Sequence, residues 1–168
     1  MDFFTVGIRD GKKGEPPEIF PDFIVGRSKD LMVRGKHFYA IWDEAAGLWS
    51  TDEYDVQRLV DEELKAYADN AMKEGIEYKP KYLRSFGSNG WSQFRKFLQN
   101  ISDNATQLDR ELTFANTEVK KSDYVSRRLP YPLAPGDCNA WHELVSVLYD
   151  DEERKKIEYH IGALVAGD

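Results

Sequence analysis

The chain has 168 residues, of which 41% are hydrophobic and 32% are charged, and its formal net charge is −7. This composition is typical of a soluble globular protein that can bury a core, and the single cysteine excludes an internal disulfide framework and indicates a reducing compartment. No apolar run is long enough to span a bilayer, and the negative net charge predicts that any contact with nucleic acid is confined to a local patch.

Short runs of β-branched and aromatic residues, separated by turn residues, predict strands in the first 50 residues. Residues 3–8 are predicted to form the first strand, and the Pro- and Gly-rich residues 10–22 are predicted to form a loop. Further short strands are predicted at residues 23–26, 30–33, 37–42 and 47–50, with a tight turn at Arg34-Gly35-Lys36. The first 50 residues are therefore predicted to form a small antiparallel β-rich lobe.

The remaining residues predict mainly helices. Ser50 and Glu53 have the spacing of a capping box and predict a helix over residues 53–74. A short helix is predicted to begin at Pro80, a further helix spans residues 91–101, and residues 112–115 form a short strand. The prediction is an α+β fold with two parts, a β-rich N-terminal lobe at residues 1–50 and a mainly helical domain at residues 51–168.

Two helices are predicted near the end of the chain, after an extended arm at residues 129–135. Asp137 is placed to cap the first helix, and an acidic first turn after Asp150 favours the start of the second. Apolar residues recur at helical spacing in both, which predicts one buried face on each helix. The predicted faces are Trp141, Leu144, Val145 and Leu148 on the first helix, and Ile157, Ile161, Leu164 and Val165 on the second.

No constellation of catalytic residues is recognisable in the sequence. Cys138 and His142 lie four residues apart, but a zinc site needs three or four ligands and the chain has no second such pair. A complete G-x-x-x-x-G-K-[ST] phosphate-binding loop does not occur. The sequence therefore predicts no catalytic site and no metal site in this chain.

One segment of this acidic chain is basic. Residues 78–102 contain no acidic residue, and their Lys and Arg residues alternate with aromatic residues, a combination that suits a nucleic-acid backbone with bases stacked on rings. The same spacing also fits a helix whose aromatic residues form core and whose cations are solvated. With a second basic cluster at 120–128, the predicted nucleic-acid-binding residues are Lys79, Lys81, Arg84, Arg95, Lys96, Lys120, Lys121, Arg127 and Arg128.

The last third of the chain carries a more specific pattern. A Tyr-x-Ser-x-Arg-Leu-Pro segment leads into the first of the two predicted helices, and a Gly-x-Leu-x-x-Gly-Asp segment closes the second. In this order the residues resemble the helicase-associated N-terminal domain of phage and poxvirus-type primase-helicases. Asn139 departs from the Pro that is frequent in that family, and residues 112–116 depart from its Asn-Gly-x-Leu-Asp-Leu strand. The matching residues are Tyr124, Ser126, Arg128, Leu129, Pro130, Pro135, Cys138, Trp141, Leu144, Gly162, Leu164, Gly167 and Asp168.

The resemblance implies a DNA replication protein of a phage or another mobile element, located in the cytoplasm of a bacterial host cell. A superfamily-3 ATPase would follow this region in the parent helicase or primase, so ATP and Mg²⁺ are expected for that motor and not for this chain. This region would support ring assembly, through self-association or contact with the helicase module. It would also engage single-stranded or forked DNA, and no membrane partner is expected.

Two other classes of protein stay open at this point. One is a free-standing phage interaction protein that binds a host factor through its acidic surface, without catalysis. The other is a small hydrolase, which would require a deep pocket with converging titratable groups.

Overall fold

The computed structural model describes residues 1–86, 88–101 and 103–166. Within it the chain forms two compact units. The first, here called the mixed unit, consists of Met1–Arg110 and Val119–Arg127, and the second, here called the helical unit, consists of Glu111–Glu118 and Arg128–Asp168. The fold is α+β, as the sequence predicts. Gly167 and Asp168, which belong to the pattern described above, lie outside the described residues.

Two three-stranded sheets lie in the mixed unit. In the first, β1 (Phe4–Arg9) pairs antiparallel with β2 (Glu18–Phe23). In the second, β3 (Leu31–Arg34), β4 (His37–Asp43) and β5 (Leu48–Ser50) are antiparallel neighbours. Gly35 and Lys36 both have positive φ, 59° and 67°, which is the geometry of a two-residue hairpin turn. The strands predicted at residues 3–8, 30–33, 37–42 and 47–50 are confirmed.

The prediction of a loop over residues 10–22 is wrong at its C-terminal end, because residues 18–23 form β2. Pro21 argued against a strand, since proline donates no backbone hydrogen bond. A two-residue strand, β6 (Lys79–Pro80), pairs in parallel with β2, but only at Glu18 and Ile19. Pro21 lies beyond this short pairing, and among the described residues no strand lies beside it on the β6 side of β2. The strand predicted at residues 23–26 is also wrong, because β2 ends at Phe23.

Two helices complete the mixed unit, α1 (Glu53–Lys73) and α2 (Ser88–Asn100), and both confirm predicted helices. The cap of α1 differs from the prediction, because Asp52 and not Ser50 accepts the hydrogen bond from a backbone N–H, that of Tyr54. The short helix predicted to begin at Pro80 is instead β6, followed by a 3₁₀ turn at Leu83–Phe86.

The core of the mixed unit is formed by one face of each helix and the inner faces of the strands. A second, smaller cluster contains Met32, Ala40, Trp42 and Trp49. Burial of this many large apolar side chains is the main source of stability for a unit of this size. The buried residues of the larger cluster are Phe3, Phe4, Leu31, Val33, Ile41, Val56, Leu59, Val60, Leu64, Leu83, Phe94, Phe97, Leu98 and Ile101.

The helical unit contains α3 (Asn139–Ser146) and α4 (Asp151–Ala166), which confirms the two predicted helices. Asp150 caps α4 by accepting hydrogen bonds from the backbone N–H groups of Glu152 and Glu153. The strand predicted at residues 112–115 is reduced to a single bridge between Phe114 and Leu129.

The prediction that α3 and α4 each bury an apolar face is wrong. Of the eight residues in the predicted faces, Val145 is the only one that is buried, and Trp141 and Ile157 are half-buried. Periodicity shows which residues share a face of a helix, but it does not show whether the chain itself supplies a partner for that face. The five predicted face residues that are exposed are Leu144, Leu148, Ile161, Leu164 and Val165.

Candidate nucleic-acid interface

Strand β6 positions the first two of the predicted nucleic-acid-binding cations opposite acidic residues from the N-terminal segment. Lys79 Nζ lies 2.8 Å from a carboxylate oxygen of Glu15, and Lys81 Nζ lies 2.8 Å from one of Glu18. The hydrogen bond with Glu15 raises the pKa of Lys79, and the hydrogen bonds from Lys81 and Arg9 lower the pKa of Glu18. The local sequence is free of acids, but the fold brings acids from other elements to these lysines.

Two further predicted cations are paired with residues of α1. Arg84 Nε lies 3.4 Å from Asp61, whose carboxylate also accepts the backbone N–H groups of Leu83 and Arg84. Arg95 lies 3.1 Å from Glu53 and contacts the ring of Trp91. The Arg95–Glu53 pair is largely exposed, and pairs of this kind contribute only about 0–1 kcal/mol, so a phosphate can compete for Arg95. The paired carboxylates nevertheless reduce the local positive potential.

The other predicted cations lie in different surroundings. Lys96, Lys120, Arg127 and Arg128 are exposed, and none of them forms an ion pair with any of the described residues. Lys121 is half-buried and pairs with Asp30. Arg128 belongs to the helical unit, and the other eight predicted residues belong to the mixed unit. The assignment of all nine residues to a nucleic-acid interface stays a prediction.

The mixed unit also contains a cavity of about 600 Å³, here called the basic cleft. This volume lies within the range of roughly 300–1,000 Å³ that is typical of ligand pockets. Its lining includes no carboxylate, imidazole or thiol among the described residues. The residues that give the basic cleft its character are the cations Arg27, Lys29 and Lys121 and the apolar side chains of Met32, Trp49 and Tyr124.

The cations of the basic cleft come from two segments far apart in the sequence. Arg27 and Lys29 lie in the connection between β2 and β3, both are exposed, and neither side chain has a hydrogen bond or an ion pair among the described residues. Lys121 begins a 3₁₀ turn at Lys121–Asp123. The sequence analysis identified Lys121 but missed Arg27 and Lys29, because two cations beside an acidic residue in a short loop form no distinctive pattern.

Tyr124 holds an unusual backbone conformation at the edge of the cleft. Its φ is 55°, in the left-handed region that a bulky side chain rarely adopts. Its ring stacks on Trp49 with 5.9 Å between ring centroids and an interplanar angle of 22°. The Trp49 indole N–H donates to the carbonyl of Lys121 at 2.9 Å, and the Asp109 N–H donates to the carbonyl of Tyr124 at 2.9 Å. These contacts fix the ring of Tyr124 in the lining.

Asn104 lies in the polar loop that precedes Leu108, lines the basic cleft and joins this loop to β3. Its side-chain oxygen accepts the N–H of Val33 at 2.8 Å, and its amide donates to the carbonyl oxygens of Ser28 and Leu31. Because all these bonds join it to backbone groups, Asn104 has a structural role. A second cavity of about 380 Å³ shares Arg27, Asn104 and Thr106 with the basic cleft and adds Arg34.

Within residues 1–86, 88–101 and 103–166, no group of three or more His, Cys, Asp or Glu side chains is arranged to hold a metal ion. Cys138 is exposed, and the nearest acidic group to His142 is Glu158, at 3.5 Å. The same part of the chain contains no helix with the length and apolar character needed to cross a membrane.

Comparison with known proteins returned no match of any kind: no protein-family model, no curated protein and no solved structure matches this chain. The function therefore has to be argued from the two units themselves.

Proposed function

We propose that this chain is an accessory region of a phage DNA replication helicase or primase-helicase, which assembles through its helical unit and engages single-stranded or forked DNA through its mixed unit. The motor that hydrolyses ATP would lie outside this sequence, and the protein would work in the cytoplasm of a bacterial host. The observation that carries the proposal is the exposed apolar surface of α3 and α4, supported by the resemblance of the C-terminal third.

The exposed apolar residues of the helical unit are concentrated in two segments. Residues 144–149 and residues 161–166 contain no charged side chain, although 32% of the whole chain is charged. An apolar helix face is normally packed against another structural element. Where apolar side chains instead stay clustered and exposed, they mark a protein interaction site. The exposed members are Leu144, Val147, Leu148, Tyr149, Ile161, Leu164 and Val165.

A second copy of the chain is the partner that fits this surface best. Ring motors of the type that the resemblance implies consist of identical subunits, and two uncharged apolar segments can meet in a self-complementary way without juxtaposing like charges. The net charge of −7 opposes the approach of two copies at long range. Added salt screens this repulsion, so self-association should become stronger as the salt concentration rises.

Sedimentation velocity over a wide range of protein concentration tests the assembly part of the proposal. We expect oligomers that increase with protein and salt concentration, and we expect Leu148→Glu to abolish them because it places a charge in the apolar surface. Val25→Glu is the matched control, since Val25 is exposed to a similar degree (65%, against 70% for Leu148) but lies in the mixed unit.

A monomer at every concentration and salt would contradict self-association. Such a result would favour the alternative, a free-standing phage protein that binds a host factor.

Anisotropy of labelled single-stranded and forked DNA tests the nucleic-acid part separately. Binding should weaken steeply with salt, opposite to self-association, because phosphate contacts release counterions. Arg95→Glu combined with Lys96→Glu should abolish binding with an unchanged circular dichroism spectrum. The matched control is Lys12→Glu with Lys13→Glu, another adjacent pair of exposed cations. Equal affinity of the two double variants would show that the segment 78–102 does not bind DNA.

A further inference from the structure

The basic cleft of the mixed unit shares only Lys121 with the predicted nucleic-acid-binding residues, and its chemistry indicates a ligand of its own. We propose that it binds a nucleotide, with the phosphate on Arg27 and Lys29 and the base against the ring of Tyr124. The inference goes beyond the proposed function and does not depend on it, because Arg27, Lys29 and Tyr124 are not among the predicted nucleic-acid-binding residues.

Charge compensation within the cleft distinguishes its three cations. Lys121 is already paired with Asp30. The Asp2 carboxylate accepts the hydroxyl of Ser28 and the backbone N–H of Lys29, so it stabilises the loop without touching the ammonium group of Lys29. Arg27 and Lys29 are therefore the two cations that no described carboxylate compensates. A phosphate monoester carries a charge of about −1.5 to −2 at pH 7, which matches two cations.

The apolar side of the cleft provides a surface for a flat ring. Trp49 is almost fully buried, so it supports the ring of Tyr124 from behind and is not itself a contact surface. Tyr124 is half-buried and lines the cavity, with Met32 beside it. Stacking of a nucleic-acid base on an aromatic side chain is worth about 1–3 kcal/mol. A ligand with both a phosphate and a flat ring uses both sides of the cleft.

The backbone at Tyr124 strengthens this assignment. A left-handed conformation at a bulky residue costs of order 1–3 kcal/mol and persists only where the surroundings impose it, often at ligand sites. Here the Asp109 carboxylate accepts the backbone N–H and the hydroxyl of Ser126, and the backbone N–H of Trp49 donates to the carbonyl of Val125 at 2.8 Å. These bonds hold both residues that follow Tyr124, so the ring is fixed before any ligand arrives.

The cavity next to the basic cleft suggests two sources for such a nucleotide. It shares Arg27 and Thr106 with the basic cleft and adds one carboxylate, that of Asp103, and one cation, Arg34, whose guanidinium group lies 3.9 Å from the centre of the Tyr39 ring. A free mononucleotide would fill the basic cleft alone. A single strand would place one nucleotide there and the next beside Arg34.

Titrations of the full chain with four probes, followed by amide chemical shifts in NMR spectra, test the inference. The probes are thymidine monophosphate, thymidine, inorganic phosphate and a short oligothymidylate. We expect saturable binding of the monophosphate, with shifts near residues 27–29 and 121–124, and at least about tenfold weaker binding of thymidine and of phosphate, since each lacks one half of the ligand. Tighter binding of the oligothymidylate would identify a strand as the source, and preference for the monophosphate would identify a free nucleotide.

Arg27→Gln supplies the decisive variant. The side chain is exposed and has no hydrogen-bonding or ionic partner among the described residues, so the fold should be unaffected. We expect affinity for the monophosphate to fall about tenfold or more, from the loss of a charge-assisted hydrogen bond. Arg110→Gln, at an exposed arginine of the same unit that neither lines the cleft nor belongs to the predicted nucleic-acid-binding residues, should leave the affinity unchanged.

Equal affinities of the Arg27→Gln and Arg110→Gln variants would overturn the inference, as would inorganic phosphate that binds as tightly as the nucleotide. Neither result depends on the residues 95 and 96 that test the proposed function. Failure of the nucleotide site and failure of DNA binding through the segment 78–102 are therefore distinguishable.

Discussion

The mixed unit and the helical unit use similar apolar residues in opposite ways. In the mixed unit, α1 and α2 bury large side chains such as Leu64 and Phe94 completely against other elements. In the helical unit, Leu148 in the turn after α3 and Leu164 on α4 are both more than two-thirds exposed. Regular amphipathic spacing is present in both units, so the difference is in the partner elements. The mixed unit contains its own core, whereas the described residues of the helical unit leave most of their large apolar side chains exposed.

The largest expected effect tests the core of the mixed unit. Phe94 has no exposed surface and stacks on Trp91 and other rings of the larger cluster. Phe94→Ala should lower the free energy of unfolding by about 3–5 kcal/mol, because it leaves a cavity among closely packed rings. Chemical denaturation measures this loss. A loss of less than about 1 kcal/mol would show that the surrounding rings fill the space that Phe94 leaves. The two units would then differ less in packing than the burial of their side chains indicates.

A smaller effect is expected at Asp61, a buried polar residue in the same unit. Its carboxylate accepts the N–H of Leu83 at 2.6 Å and that of Arg84 at 3.3 Å, and so joins α1 to the 3₁₀ turn. Asp61→Ala should lower the free energy of unfolding by about 1–3 kcal/mol, since a buried N–H loses its acceptor. An unchanged denaturation midpoint would show that another group replaces the carboxylate.

The pH dependence of stability should have opposite signs at Asp61 and Asp43. Burial raises the pKa of Asp61 above its ordinary 3.8, so its contribution is greatest below pH 3.8 and decreases as the pH rises through the raised pKa. Burial also acts to raise the pKa of Asp43, but the hydrogen bond and charge of Arg58, together with the backbone N–H groups of Ala45 and Ala46, outweigh burial and the pKa is lowered. The contribution of Asp43 is therefore present above pH 3.8 and is lost as the pH falls through the lowered pKa.

Denaturation curves of Asp61→Asn and Asp43→Asn at several pH values check these signs. Relative to the parent chain, Asp43→Asn should lose less stability on acidification, and Asp61→Asn should lose less as the pH rises from the acidic range. Identical slopes for both variants and the parent chain would contradict the assignment.

The smallest effect is expected in the helical unit. Leu148→Ala should change the free energy of unfolding by less than about 0.5 kcal/mol at a protein concentration where the chain is monomeric, because the side chain is 70% exposed. At concentrations where the chain self-associates, the same variant should be clearly destabilised, because unfolding is then linked to dissociation. A loss of several kcal/mol in the monomer would show that α3 and α4 bury Leu148 against each other.

Much of the fold could be predicted from local sequence. The hairpin at Gly35-Lys36 and the helices α1 and α2 follow from turn residues and from helical periodicity. Strand β2 could not be predicted, because a proline at position 21 argues against a strand. Only the structure shows that the short β6 ends before it reaches Pro21. The exposure of α3 and α4 could not be predicted either, since periodicity does not specify what covers a face.

The candidate site was less predictable for a related reason. The acid-free segment 78–102 is a property of the sequence, but Glu15, Glu18, Glu53 and Asp61 reach its cations from other elements. The basic cleft shows the reverse case, because Arg27 and Lys121 are far apart in the sequence and only the fold brings them together. The local charge of the sequence therefore predicted neither which cations pair with carboxylates nor that Arg27 and Lys121 line the same cleft.

Amide hydrogen exchange of the full chain at a low and a high protein concentration tests the contrast between the units most directly. The proposal predicts that protection of α1 and α2 is strong and independent of concentration, because the mixed unit contains its own core. It predicts weak protection of α3 and α4 at the low concentration and markedly stronger protection at the high one, as a second copy covers their apolar surface. Protection of α3 and α4 that is equally strong at both concentrations would contradict the claim that the helical unit requires a second copy.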